Sequence, residues 1–344
     1  MINRKPHVVV FFGGAADNAD LSQETGYWIC NYISRSKYQV TPVRITGDGK
    51  WQVPLGSLPQ HGPVDRMMNM LFDAVRPLSP GQALERLMRQ PVSAMMTTVR
   101  GLGGDDGSLQ SLGTALQVPV VGSSAATCQQ TFHKELCAAQ VKDVVSTPLS
   151  FHFKAGQPTD TIIEDIREFL LPPFFIKPAS DEGSSGVEEV TSLDELYPAI
   201  ERAKAKGDIM IQERSRGAEL TLTLFEDEQG KVQVLPPTMV VPQKTTFYDQ
   251  LAKRRPGRVV LHTPDAADHP SMWEAESTAR DVYDKLNCHG YASFDMVSDA
   301  GNIELLEVNT VPTLTSVTPL RHQLHAAGLH PTRLVDSLLN RTVQ

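Results

Sequence analysis

A chain of 344 residues has room for two or three domains, and 40% hydrophobic with 21% charged residues is ordinary globular usage, which excludes a disordered chain. The 32 Lys and Arg against 40 Asp and Glu give a formal charge of −8, which argues against nucleic acid as a partner, because a phosphate backbone needs a basic face. No apolar run approaches the ~18–20 residues of a membrane span, and no leader segment follows the basic start Met1–Lys5.

In chain order, His7 to Phe12 followed by Gly13-Gly14 reads as a buried strand entering a tight turn. A helix over Leu21–Ser34, a strand over Tyr38–Ile45, a helix over Ala83–Met88 and a strand over Ala94–Val99 follow. This alternation predicts a parallel α/β unit ending near Val121-Gly122. A helix fits Ser124–Ala139, and Phe174–Ile176 is a buried strand running into Lys177-Pro178. Ser192 and Glu195 form a capping box opening a helix to about Lys206, and Ile209–Ile211 is a short strand. The pattern then changes to hairpins: Glu219–Phe225 with Val232–Leu235, and Ala292–Val297 with Ile303–Asn309. The second half therefore reads as mostly antiparallel, with helices over Ser271–Leu286 and near the C-terminus. Cys30, Cys128, Cys137 and Cys288 are widely spaced and read as reduced thiols of a cytoplasmic protein, not a disulfide frame or zinc site. The methionines of Met67–Met70 and Met95-Met96 read as core.

Three constellations carry chemistry. Glu182-Gly183-Ser184-Ser185-Gly186, after the strand ending in Lys177, has the small residues that let backbone N–H groups and hydroxyls approach phosphate oxygens, with Lys177 as a nearby cation. A Gly/Ser-rich surface turn is the competing reading. In Asp295…Glu307-Val308-Asn309, Glu307 and Asn309 share a strand face, and a three-residue turn centred on Gly301 sets Asp295 opposite Glu307. Three oxygen donors at one hairpin suit a hard cation such as Mg²⁺. A solvated acidic face competes, but Ile303, Leu305, Leu306 and Val308 make the strand apolar around the acids. Arg100 to Gln110 holds four glycines after a strand; Gly107 precedes a helix whose N-terminus favours an anion, with a purely structural turn as the alternative.

Taken in order, these motifs resemble the D-alanine–D-alanine ligase family of the ATP-grasp superfamily over nearly the whole chain. The markers are Gly13-Gly14, Gly103 to Gln110, Val118 to Ser123, Lys134, Ile176-Lys177-Pro178, Glu182 to Ser185, Tyr248-Asp249…Ala252-Lys253, and Asp295…Glu307-Val308-Asn309-Thr310…Pro312. The resemblance implies an α/β chain, α+β in its C-terminal half: an ATP-grasp fold behind an N-terminal parallel-sheet domain, with domains at 1–122, 123–215 and 216–344. It implies ATP held by Lys134, Lys177, Glu182, Gly183, Ser184, Ser185, Gln212, Glu213, Ser215, Glu219 and Lys253. It also implies two Mg²⁺ (or Mn²⁺) on Asp295, Glu307 and Asn309, small-molecule carboxylate and amine substrates, and a homodimer.

The departures from the family pattern fall on the substrate subsites. Asn18 stands for the glutamate that receives the first substrate's amine, with Asp20 a neighbour. Arg100 stands for a histidine, Arg254 for a tyrosine, Ser293 for the arginine that stabilises the tetrahedral intermediate, and Thr313 for a glycine; Ser184 is kept, and Thr315 and Ser316 follow. Ser184, Lys253, Arg254 and Arg100 are the candidate catalytic set. Losing a carboxylate and gaining two arginines predicts a biosynthetic ligase whose substrates differ from the D-alanine pair. An authentic D-alanine–D-alanine ligase, with Arg100 or Arg254 replacing the lost arginine in space, is the alternative. A catalytically inactive ATP-binding module is the second.

Overall fold

The computed structural model describes residues 5–14, 18–179, 186–264 and 271–343. Its first unit holds strands β1 (His7–Gly13), β2 (Gln39–Ile45), β3 (Trp51–Gln52) and β4 (Ala94–Thr97), with helices α1 (Ala19–Tyr32), α2 (Val64–Asp73), α3 (Pro80–Leu87) and α4 (Ser108–Leu116). The sheet order is β3-β2-β1-β4, with β1 parallel to β2 and β4 and β3 antiparallel to β2. Strand β1 is buried at all seven positions because both its faces are covered. Val8, Val10 and Phe12 pack with Ile29, Met68 and Phe72, while Val9 and Phe11 pack with Trp51, Ala83 and Leu87.

Helices α5 (Ala125–Phe132) and α6 (Lys134–Val141) follow, with Cys137 and Val141 packing against Leu220 and Phe294 rather than under the next sheet. The second unit contains β5 (Ser150–Phe153), α7 (Thr159–Ile166), β6 (Phe174–Pro178), β7 (Glu188–Val190), α8 (Leu196–Lys204) and β8 (Ile209–Glu213). Its sheet, β5-β8-β6-β7, is antiparallel at every pairing. Phe174 and Ile176 point into the core under α7 and α8, so Phe175 and Lys177 face the other way.

The third unit contains β9 (Ala218–Glu226), β10 (Val232–Val234), β11 (Thr238–Pro242), β12 (Val259–His262), α9 (Ser271–Lys285), β13 (Tyr291–Asp299), β14 (Asn302–Asn309), α10 (Pro319–Ala326) and α11 (Pro331–Val343). The sheet runs β12-β11-β9-β13-β14, with β10 paired to β9. Leu220, Leu222, Leu224, Phe294, Met296 and Val308 form its core with α9. Helices α10 and α11 turn back: Leu320, Leu324, Leu334 and Leu338 share a core with Val8, Val10 and Phe12 of β1.

Several expectations are corrected. The helix over Ser124–Ala139 is two helices, broken at His133, whose extended ψ of 102° ends α5 and begins α6. The hairpin turn has two residues, not three: Asp299 pairs Asn302, and Ala300 and Gly301 take φ of 49° and 95°. Asp295 still faces Glu307 because a bulge skips Leu306 between the Asp295–Glu307 and Met296–Leu305 pairs. Strands β5, β7, β11 and β12 and helices α2 and α7 had no sequence reading; β12 alternates between half-buried and exposed positions, a weak pattern for a strand. The capping box of Ser192 and Glu195 is present and opens a 3₁₀ turn, Leu193–Glu195, ahead of α8. Cys30, Cys128, Cys137 and Cys288 are free and buried. Among the described residues no helix is long and apolar enough to cross a membrane.

Candidate active site

A cavity of about 400 Å³ separates the second sheet from the third. The pleat of β6 delivers Phe175 and Lys177 to it, and β8 delivers Gln212 beside Phe175. Lys177 Nζ donates to Gln212 Oε1, and Gln212 Nε2 donates to Ser150 Oγ at 3.0 Å. Across the cleft stand Glu219, Met239, Val241, Tyr248, Lys253, Asp295, Leu306 and Glu307. Phe175 and Phe247 meet edge to face at 5.0 Å between ring centres, closing an apolar end. Lys134, Lys177, Gln212, Glu213, Ser215, Glu219 and Lys253 all line this one cavity.

The helix break at His133 sets Lys134 at the start of α6, where its Nζ donates to Glu307 Oε2 at 2.9 Å. Lys177 loses solvent to burial and faces the Lys134 cation, so its pKa is pulled down to about 7. Glu219 is pushed up to about 7, by burial first and by the Asp295 charge second. Burial raises Asp295 too, with Glu307 adding to it against the Lys253 cation. Burial would also raise Glu307, but Lys134 and Lys253 overcome that and hold it well below the usual carboxylate range.

Asp295 Oδ1 accepts from Thr221 Oγ1 at 2.7 Å, and Asn309 Oδ1 accepts from the Arg100 guanidinium at 2.7 Å. Among the described residues no group of three or more His, Cys, Asp or Glu could hold a metal; the expected set of Asp295, Glu307 and Asn309 is two carboxylates and one amide. That set fits Mg²⁺, which takes one or two carboxylates and completes its shell with water and substrate phosphates.

A smaller pocket of about 70 Å³ adjoins the cleft and shares Tyr248, Lys253, Asp295 and Glu307 with it. Its other walls include Asn18, Arg100, Ser293 and Thr313. Arg100 crosses from the first unit: it donates to Val311 O at 2.7 Å and pairs with Asp105 at 3.2 Å. Arg254 donates to Asn18 Oδ1 at 3.0 Å and lies 3.5 Å from Asp20 Oδ1.

Asp20, Arg254, Thr315 and Ser316, all expected at the substrate site, line neither cavity. The Thr315 N–H is taken by Thr318 Oγ1 and the Ser316 N–H by Glu24 Oε1. The glycine-rich loop is also corrected. Its N–H groups at Gly101, Gly103 and Ser108 are met by the chain's own Asp105 and Asp106 carboxylates, which supply the anion expected from a ligand. Gly107, at φ 92°, is required by packing: a Cβ there would lie 2.5 Å from Ala125 O. Glu182, Gly183, Ser184 and Ser185 lie outside the described residues. Missed from the sequence were Phe175, Arg214, Phe247 and the β11 wall of Met239 to Pro242. Phe175 was legible by alternation with Phe174 and Ile176; a wall built from a distant edge strand was not.

Two family models match, "D-ala D-ala ligase N-terminus" over residues 7–123 and "D-ala D-ala ligase C-terminus" over residues 147–340. The D-alanine–D-alanine ligase of Clostridium acetobutylicum is 27% identical, covering 97% of each chain. D-alanine–D-alanine ligase A of Mesorhizobium japonicum is 28% identical, over 99% of this chain and 98% of that relative. Among solved structures, the VanG D-Ala:D-Ser ligase of Enterococcus faecalis superposes with a TM-score of 0.81 at 23% identity, over 98% of this chain and 99% of that one. The Bacillus anthracis D-alanine–D-alanine ligase complexed with ATP gives 0.73 at 19% identity, over 98% and 97%. With matched models at both ends and a cleft of this construction, the chain belongs to the D-alanine–D-alanine ligase family: it is an ADP-forming ligase of ATP-grasp fold that uses ATP and Mg²⁺.

Proposed function

We propose that the chain joins two small D-amino acids, with D-alanine the reference substrate, through an acyl phosphate. The observation that carries this is the inner pocket: it opens on the carboxylate pair of the ATP cleft and holds Arg100 beside Ser293. In the family's terms position 293 has lost the arginine that steadies the tetrahedral intermediate, and the Arg100 guanidinium returns a cation to the same pocket from the segment after β4. The relatives named as D-alanine–D-alanine ligases, aligned over their full length, support the same reading.

On this reading Lys134, Lys177 and Lys253 hold the triphosphate, Glu219 takes the ribose, and the Phe175 and Phe247 rings with the β11 wall receive the base. Asp295, Glu307 and Asn309 would hold Mg²⁺, which would supply charge neutralisation on the phosphates. One substrate's carboxylate oxygen attacks the γ-phosphorus and the bond to ADP breaks. The second substrate's amine nitrogen then attacks the activated carbonyl, phosphate leaves, and the nitrogen gives up a proton. Positioning and charge neutralisation supply the rate. The protein acts on dissolved small molecules, and the dimer implied by the family belongs to this proposal.

A second reading has one specific observation in its favour. The position that receives the first amine in the family is Asn18, and here it faces the Arg254 cation. An ammonium is poorly placed there, so the acid component is a carboxylate without a free α-amine. ADP release with Mg²⁺-ATP separates the two. Turnover with D-alanine alone supports the D-amino acid ligase. Turnover only when an N-modified acid is supplied establishes the second reading.

A further inference from the structure

Strand β9 turns Leu220, Leu222 and Leu224 to the core, so Thr221 and Thr223 face the site. Thr221 is satisfied by Asp295. Thr223 is fully buried, its hydroxyl has no hydrogen-bond partner, and it lines the inner pocket. Directly across the ladder is Ser293, also a wall of that pocket. A buried hydroxyl without a partner costs free energy that valine, of the same shape and at home in strands, would not incur. Thr238, opposite Thr221 on β11, has the same unpartnered hydroxyl but lines neither cavity.

We propose that Thr223 is a specificity-determining residue, its hydroxyl completing a hydrogen bond with a hydroxyl on the side chain of one substrate. The pocket then prefers a small hydroxy-D-amino acid, serine-like, to D-alanine. The charged side chains of the pocket, Arg100, Asp295 and Lys253, suit charged groups. A neutral hydroxyl pair from Thr223 and Ser293 suits a neutral hydroxyl instead. Thr223 lies one side-chain step along β9 from Thr221, whose hydroxyl is already taken by Asp295. A site built to bond a hydroxyl disfavours the analogue lacking it, because its own polar group is left unpaired.

This inference rests on the D-amino acid ligase reading, and one experiment separates their failures. The protein is given Mg²⁺-ATP with equal D-alanine and D-serine, and the dipeptides are counted by mass spectrometry. The wild type should favour serine-containing product by about tenfold or more. Thr223→Val should abolish that preference, Thr223→Ser should keep it, and Thr238→Val should leave it in place. Thermal melting checks that each variant is folded, and Thr223→Ser carries the test if Thr223→Val is not. An unchanged product ratio in Thr223→Val, or a wild type that prefers D-alanine, overturns this inference and leaves the ligase reading standing. No dipeptide from either amino acid overturns both.

Discussion

Lys177 is held near neutrality by burial and by Lys134, with a pKa of about 7 against an ordinary value of 10.5. In the nucleotide-free protein at pH 8 it is therefore mostly uncharged. On the proposed placement of the triphosphate beside Lys177, the ammonium form is favoured, so ATP binding should raise this pKa and take up a proton. Glu219, at about 7, is already mostly ionised at pH 8 and contributes little. Titration calorimetry at pH 8 in two buffers of different ionisation heat should show net proton uptake, and ATP affinity should fall as pH rises from 7 to 9. Lys177→Met should bind ATP more weakly and lose the uptake; an uptake that survives the substitution assigns the proton elsewhere.

The hairpin of β13 and β14 shows how an element sets chemistry. Its turn, Ala300-Gly301, places both residues at positive φ, a two-residue hairpin turn that favours Asn-Gly. Alanine is strained at φ 49°, whereas asparagine tolerates that region. Ala300→Asn should therefore stabilise the protein by roughly 0.5–1 kcal/mol, read as a higher melting temperature. A lower one would show that the turn is held by contacts other than its own backbone preference. The bulge at Leu306 is the second device of this hairpin, since without the skipped residue Asp295 would face Leu306 and the carboxylate pair would be lost.

At the scale of the molecule, the site is shared among all three sheets. Arg100 leaves the end of β4 and reaches Val311 O and Asn309 on the far side, while α10 and α11 return to pack on β1. Arg100 thus couples the first unit to the carboxylate hairpin, and it lines the inner pocket without lining the ATP cavity. Arg100→Lys keeps the charge but loses the planar fork. On the ligase reading it should lower kcat about 10²-fold while the KM for ATP stays near that of the parent. A raised KM for ATP at full kcat would assign Arg100 to the nucleotide instead.

A continuous apolar run determined the buried β1, and strand patterns determined the two hairpins and the shared face of Glu307 and Asn309, because a period of two is set by the backbone. The ordered motifs determined the family, and the residues they single out, Lys134, Lys177, Glu219 and Lys253, line one cavity although they are far apart in the chain. Tertiary structure decided what depends on neighbours. It placed Arg100 in one pocket with Ser293 and on Asn309, a contact spanning 209 residues. It also filled the glycine-rich loop with the chain's own carboxylates, and it paired Asp295 with Glu307 through a bulge rather than a longer turn. The reason is physical: a side chain's direction follows from local backbone geometry, whereas its partner, its solvent and so its charge follow from whatever the rest of the chain packs against it.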